Sequence, residues 1–146
     1  MRENFSTLIV GYGAAALRCA DALYRMGFRS IALVCERRAW GTSRNTGSDK
    51  QTYYKLQLGG SEGDSVRQMA SMLFSGGAVD GEHAMQEAAL SAESFLHLVD
   101  LGVPFPRNRW GEYIGYRTDH DEAKRATSAG PYTSRFMVEA LERALD

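Results

Sequence analysis

The period of apolar positions changes several times along this chain, and each change marks an element. Thr7-Leu8-Ile9-Val10 is a short continuous apolar run, which predicts a buried strand, and it leads directly into Gly11-Tyr12-Gly13-Ala14-Ala15-Ala16. From Ala14 the small or apolar positions Ala16, Cys19, Ala20 and Leu23 recur at helical spacing, and Gly27-Phe28 reads as the helix stop. Ser30 to Cys35 follows as a second strand and ends in Glu36. Arg37 to Ser61 then loses helical periodicity. It is rich in Gly, Ser, Thr, Asn and Lys, and is expected to be a long functional loop.

Helical spacing returns after that loop. Asp64 is expected to cap a helix from about Ser65 to Ser75, with Val66, Met69, Leu73 and Phe74 inward and Gly76-Gly77 at its end. Asp80 is expected to cap a longer helix. Its stripe is Met85, Ala88, Ala89, Ala92, Phe95, Leu96 and Val99, and Gly102 closes it before Val103-Pro104-Phe105-Pro106. Phe105 to Tyr116, broken by Asn108 and Gly111, predicts a short hairpin carrying Trp110, Tyr113 and Tyr116. Asp119 to Ala129 is polar and predicts a loop. Thr133 or Ser134 then caps a last helix bearing Phe136, Met137, Ala140, Leu141 and Leu145. No internal repeat and no linker divides the chain.

Composition narrows the picture. The chain has 146 residues, the range of one domain, and 44% hydrophobic residues are enough for a core. A net charge of -1 without a long basic block argues against attraction to nucleic acid or an anionic membrane. No segment approaches the roughly 20 apolar residues of a membrane span. Glu3, the glycine turn and Arg18 interrupt the N-terminal apolar stretch, unlike a secretory signal, so the cytoplasm is the expected location. Cys19 and Cys35 sit in apolar settings and are expected to be reduced core residues. His83, His97 and His120 lie too far apart in pattern to suggest a metal, and surface or packing roles are expected.

The turn from Gly11 to Ala16 has the chemistry of a dinucleotide site. Its first glycine permits the tight strand-to-helix turn, and Gly13 lets the backbone approach phosphate oxygens. The small Ala16 allows helix and strand to pack closely. Unpaired N–H groups at the helix start then face the anion. Glu36, 25 residues after Gly11, falls near where such a unit places an acid on a ribose hydroxyl. Either a nicotinamide or a flavin dinucleotide satisfies this pattern.

Beyond Glu36 the chain reads Arg37-Arg38-Ala39-Trp40-Gly41-Thr42-Ser43-Arg44-Asn45-Thr46-Gly47-Ser48-Asp49-Lys50. A glycine turn, an acidic strand end and a Gly-Thr-Ser loop, in this order, resemble the flavoprotein subunits of fumarate reductase, succinate dehydrogenase and L-aspartate oxidase. Gly102-Val103-Pro104-Phe105-Pro106-Arg107 and Ala129-Gly130-Pro131-Tyr132-Thr133-Ser134 are similar to later stretches of that family. The resemblance implies an incomplete α/β, Rossmann-like FAD-binding fold. An N-terminal βαβ unit plus helices would make residues 1–146 the N-terminal portion of an FAD-binding domain, with the capping or substrate domain absent.

The same resemblance assigns residues. Gly11, Gly13, Ala14 and Ala15 would meet the pyrophosphate, Glu36 the adenosine ribose, and Arg37 or Arg38 would flank the adenosine. Thr42, Ser43, Asn45, Thr46, Gly47, Ser48 and Asp49 would lie along the diphosphate, ribityl chain and flavin ring. The segment Thr42 to Thr46 lacks the histidine that attaches flavin in several relatives, so FAD is expected to be non-covalent. Gly47-Ser48-Asp49 replaces the family's common Gly-Gly and brings a carboxylate near the expected flavin. The implied activity is hydride transfer to or from a small-molecule substrate, with a redox partner, in a complete protein. Substrate-binding and proton-delivering groups come from farther downstream in that family, so this chain alone is expected to be inactive. Only two strand candidates precede its helices, which would leave the first strand a poorly covered edge. Two other readings stand beside this one. One is an NAD(P)-dependent dehydrogenase module, in which Arg37 and Arg38 would contact a 2'-phosphate that Glu36 disfavours. The other is a non-catalytic remnant that binds a nucleotide or a protein partner.

Overall fold

The apolar run at Thr7 does become a strand, β1 (Thr7–Val10), and the glycine turn after it opens α1 (Ala14–Arg25). The computed structural model describes residues 4–49 and 51–146; Arg2, Glu3 and Lys50 lie outside the described residues. β2 (Ile31–Val34) returns parallel to β1, with Thr7 opposite Ile31 and Val10 opposite Val34. This is a βαβ unit. The presumed loop after it is more structured than its composition suggests. It holds a 3-10 turn at Arg38–Trp40, a single helical turn α2 (Thr42–Asn45) and a two-residue strand β3 (Tyr53–Tyr54).

Two compact units result, and no linker composition marks their junctions. The first unit joins Met1–Gln51, Leu101–Val103 and Gly130–Asp146; the second joins Thr52–Asp100 and Pro104–Ala129. In the first unit α1 packs on β1 and β2 and on α5 (Thr133–Leu145), which also receives α2. The buried face of α1 runs through Leu17, Ala20 and Asp21, the last paired with Arg18 at 2.9 Å. Cys19, expected in the core, is therefore turned outward and exposed, and Cys35 is half-buried. α5 buries Val138, Ala140 and Leu141 together with Glu142.

The second unit contains α3 (Val66–Ser75), α4 (Gly81–Asp100) and an antiparallel sheet of order β3-β5-β4. Of its strands β4 (Tyr116–Thr118) and β5 (Asp121–Thr127), the second occupies the loop expected over Asp119 to Ala129. β5 lacks apolar alternation because two of its buried side chains are charged: Arg125 pairs with Asp121 at 2.9 Å and reaches Asp64 through two further bonds. A hairpin over Phe105 to Tyr116 does not form. Asn108 instead closes a turn, its Oδ1 accepting from the N–H groups of Trp110 and Glu112 at 2.9 Å each, and Trp110 stays 73% exposed. Gly115 abuts β5 so closely that a Cβ there would lie 2.2 Å from the Lys124 carbonyl oxygen.

Helix caps depart from expectation twice: α5 has Tyr132 as its N-cap without a side-chain bond, so Thr133 and Ser134 lie inside the helix, and at α3 two neighbours exchange roles. Ser65, not Asp64, is the cap of α3, accepting from Gln68 N at 3.2 Å, because the Asp64 carboxylate is taken by Arg125. Asp80 caps α4 as expected, accepting from Glu82 N and His83 N at 3.0 Å each. The α4 face that packs is Ala84, Ala88, Ser91, Phe95 and Leu98, so Met85 and Leu96 of the expected stripe are exposed. On α3 Met69 and Ala70 are buried and Phe74 is exposed. Phe95 is the hub of an aromatic cluster, with ring centroids of Phe105, Tyr113 and Tyr53 at 4.7, 5.0 and 5.7 Å.

Candidate dinucleotide-binding site

The site is built entirely within the first unit, at the end of β1. Gly11 has φ 124, a conformation that side-chain-bearing residues rarely adopt, and its N–H donates to the Val34 carbonyl at 2.8 Å. The turn is thereby tied to β2. Gly13 is the N-cap of α1, and the first helical bond is Leu17 N to Gly13 O at 3.1 Å. Ala14, Ala15 and Ala16 consequently have no intrahelical acceptor for their N–H groups. These donors and the positive end of the helix dipole make the turn a place for an anion.

Ser43 closes the turn from the other side. Its Oγ accepts from Ala14 N at 3.3 Å, the long end of the hydrogen-bond range. The approach depends on absent side chains. A Cβ on Gly13 would lie 3.2 Å from Ser43 Oγ, and one on Gly41 would lie 2.8 Å from the Tyr12 carbonyl oxygen. Sequence spacing anticipated Gly11 and Gly13, whereas the need for glycine at 41 appears only once the loop folds back.

The remaining expected site residues fall into two groups. Glu36 and Arg37 are exposed just past the end of β2, at the same C-terminal end of the parallel strand pair as the glycine turn. Arg37 stacks on Trp40 with its guanidinium carbon 4.5 Å from the ring centre. Arg38 turns to Tyr12, donating to its hydroxyl at 2.6 Å, and to Asp146 at 2.9 Å. These bonds, Asp146 first, hold the Arg38 guanidinium still more firmly protonated than usual.

Thr42, Asn45 and Thr46 serve the loop's own shape. Asn45 Nδ2 donates to the carbonyls of Ala39 at 2.6 Å and Gly41 at 3.0 Å, and Thr46 Oγ1 donates to Thr42 O at 2.6 Å. Gly47 runs against the Tyr132 ring, where a Cβ would come within 3.1 Å, and Ser48 N donates to Pro131 O at 3.1 Å. Ser48 and Asp49 are exposed. Gln51 staples this loop to the start of α5: its Nε2 donates to Ser134 Oγ at 2.8 Å and its Oε1 accepts from Ser134 N at 2.9 Å. Gln51 and Arg44, which reaches Glu139 and Glu142 on α5, were not anticipated. Their partners are 83 to 98 residues away, beyond any local pattern.

Among the described residues no cluster of His, Cys, Asp and Glu is arranged for a metal ion, and no helix is long and apolar enough to cross a membrane. A parallel βαβ unit with a glycine-rich turn at the strand end defines the class: a partial α/β, Rossmann-like dinucleotide-binding fold. Solved structures place it further. Mycobacterium smegmatis Sdh1, a succinate dehydrogenase flavoprotein subunit solved in complex with UQ1, superposes with a TM-score of 0.82 at 18% identity, covering 99% of this chain and 24% of that one. FrdA of Escherichia coli quinol fumarate reductase, carrying an E245Q mutation, gives 0.75 at 19% identity over 94% of this chain and 23% of its own. A 3-ketosteroid-delta4-(5alpha)-dehydrogenase from Rhodococcus jostii gives 0.64 at 18% identity, covering 99% of this chain and 37% of that one. No protein-family model matches the chain, and no curated protein matches it by sequence. The chain thus has the fold of part of these flavoprotein subunits and spans about a quarter of the length of the first two.

Proposed function

We propose that this chain is the part of a flavin-dependent oxidoreductase that holds the adenosine diphosphate end of FAD, bound without a covalent link. One observation carries the reading: the N–H groups at the start of α1 lack helical acceptors inside a turn that Gly11, Gly13 and Gly41 keep free of Cβ atoms. The chemistry of this donor set fits a diphosphate. The Ala15 N–H and the hydroxyl of Ser43, which accepts from Ala14, would hold its oxygens, and Glu36 would accept from the ribose hydroxyls. Thr46 to Asp49 would continue toward the flavin ring, held in place by Tyr132, Pro131 and Gln51. When bound, FAD supplies the hydride chemistry, exchanged with a small-molecule substrate and a redox partner in the complete protein. The residues on this chain bind and orient; by this reading the 146 residues alone turn over no substrate.

The test is a set of titrations with FAD, ADP, NAD+ and NADP+, followed by calorimetry and by flavin fluorescence. FAD and ADP are expected to compete for one site, and Glu36→Gln to weaken both by about fivefold to tenfold through loss of the ribose hydrogen bonds. Tight binding of NAD+ or NADP+ with none of FAD would overturn the proposal. So would a protein that binds neither FAD nor ADP.

A further inference from the structure

Ser43 stands on a helix of only four residues, Thr42–Asn45, far too short to hold its shape unaided. Something else must set where its hydroxyl lies. Among the described residues the side chains of Asn45 and Thr46 bond to the neighbouring backbone, at Ala39, Gly41 and Thr42. Arg44 is different. It leaves the turn for α5, where its Nη1 lies 3.3 Å from Glu139 Oε1 and its Nη2 meets Glu142 Oε2. Glu139 and Glu142 are three residues apart on one helix face, so the two arms of the planar guanidinium are held by two fixed carboxylates. The arrangement has a cost. Arg44 Nε is buried with no hydrogen-bond partner among the described residues, a penalty tolerated only where the other contacts over-determine the orientation.

Immediately before this anchored residue, Ser43 Oγ accepts from Ala14 N at 3.3 Å. A bond that long is lost with a small shift of α2. While it accepts from Ala14, the hydroxyl keeps its own proton free to donate to an anion at the start of α1. We infer that Arg44 is a positioning residue: its ion pairs to Glu139 and Glu142 hold α2 so that the Ser43 hydroxyl is aimed at a diphosphate at the N-terminus of α1. The inference rests on the cofactor reading above and adds to it the means by which α5 controls affinity.

A double-mutant cycle on ADP binding tests it, using wild type, Arg44→Gln, Ser43→Ala and the pair, with thermal unfolding measured alongside. Each single substitution is expected to weaken ADP by about fivefold, and the pair by no more than the larger single loss, because Arg44 acts through Ser43. Arg44→Lys, which offers a point charge in place of a fork, is expected to fall between wild type and Arg44→Gln. Should Arg44→Gln fail to fold, Glu139→Gln enters the same cycle, since Glu142 then still holds the guanidinium. Losses that multiply to about 25-fold in the pair would overturn the inference and leave the cofactor reading standing, as would an Arg44→Gln protein that binds ADP like wild type. A wild-type protein that binds neither ADP nor FAD removes the cofactor reading itself, and does so before any variant is made.

Discussion

In the first unit the sheet formed by β1 and β2 shows apolar side chains to solvent: Leu8 is 61% exposed and Val10 79%, with Val34 beside them. Leu8 faces Ala32 and Val10 faces Val34 across the strand pair, so these residues share one side of the sheet. The same unit leaves N–H donors at the start of α1 without helical acceptors. The second unit exposes apolar side chains of its own, Phe74, Leu90 and Trp110 among them, yet it also closes a core. Its aromatic rings close on Phe95, Met69 packs with Ala70, Ala84 and Ala88, and the buried charges of Arg125, Asp64 and Asp121 satisfy one another. In the second unit most buried groups find partners within the unit, whereas the first keeps an open apolar strand face beside helix-start donors that no helical carbonyl takes.

The contrast is broken most forcefully at Asp64. Its carboxylate accepts from Arg125 Nε at 2.9 Å, from Arg125 Nη2 at 2.5 Å and from Gln57 N at 3.2 Å, with both side chains almost wholly buried. Burial alone would raise this carboxyl. Arg125 and the N–H groups of Gln57 and Ser65 outweigh it and hold the group below its ordinary range. A depressed carboxyl contributes stability that is present above the unfolded value of about 4 and lost as pH falls through the folded one. Asp64→Ala is expected to cost about 3–5 kcal/mol by leaving Arg125 buried with a single partner. Hydrogen exchange at the β5 amides should report this loss at neutral pH, and Asp64→Ala should also flatten the acid dependence below about pH 4.

How legible each region was follows from how far its partners lie along the chain. β1, the glycine turn, α1 and β2 were readable because each signal is local: an apolar run, a glycine pair and a helical spacing. The buried face of α1 was misread at Cys19 because α5 decides which side packs, and α5 begins only at Thr133. β5 was hidden for a related reason. Asp121 and Arg125 look like a solvated loop until Asp64, 61 residues from Arg125, is seen to take the other side of its guanidinium. In the site, Gly11 and Gly13 were visible at once. Ser43 bonds to a residue 29 positions away and Arg44 to one 98 away, so local spacing picked out the glycine turn but not the residue that anchors the loop beside it.

Lys55 sharpens the comparison from the other side, as the costliest group that the second unit encloses. It is 0% exposed, with Nζ 3.2 Å from the Leu56 carbonyl and 4.8 Å from the centre of the Phe95 ring. Burial pushes its ammonium down to about 8, against a weaker pull from Asp64. Between about pH 8 and the ordinary lysine value of 10.5 the unfolded chain binds the proton and the folded one does not, so stability rises with pH across that window. Below it the penalty is constant. Lys55→Met is expected to raise stability at neutral pH by about 1–3 kcal/mol and to abolish the alkaline rise, as read from denaturant midpoints at several pH values. A Lys55→Met protein that is less stable at neutral pH would mean that the ring contact outweighs desolvation.

The smallest expected effect falls on the first unit, where the comparison is most exposed to disproof. Val10 carries its side chain into solvent from the end of β1, so Val10→Thr removes little buried area and keeps a β-branched residue in the strand. Its cost in the 146-residue chain is expected to stay within about 0.5 kcal/mol, while the concentration at which the protein begins to self-associate should rise as the apolar patch shrinks. Denaturant midpoints and light scattering on the same samples read the two quantities separately. A loss above about 1 kcal/mol would mean that this face is covered in solution, by a second copy if the loss depends on protein concentration. The two units would then differ in what covers them, and no longer in whether they are closed.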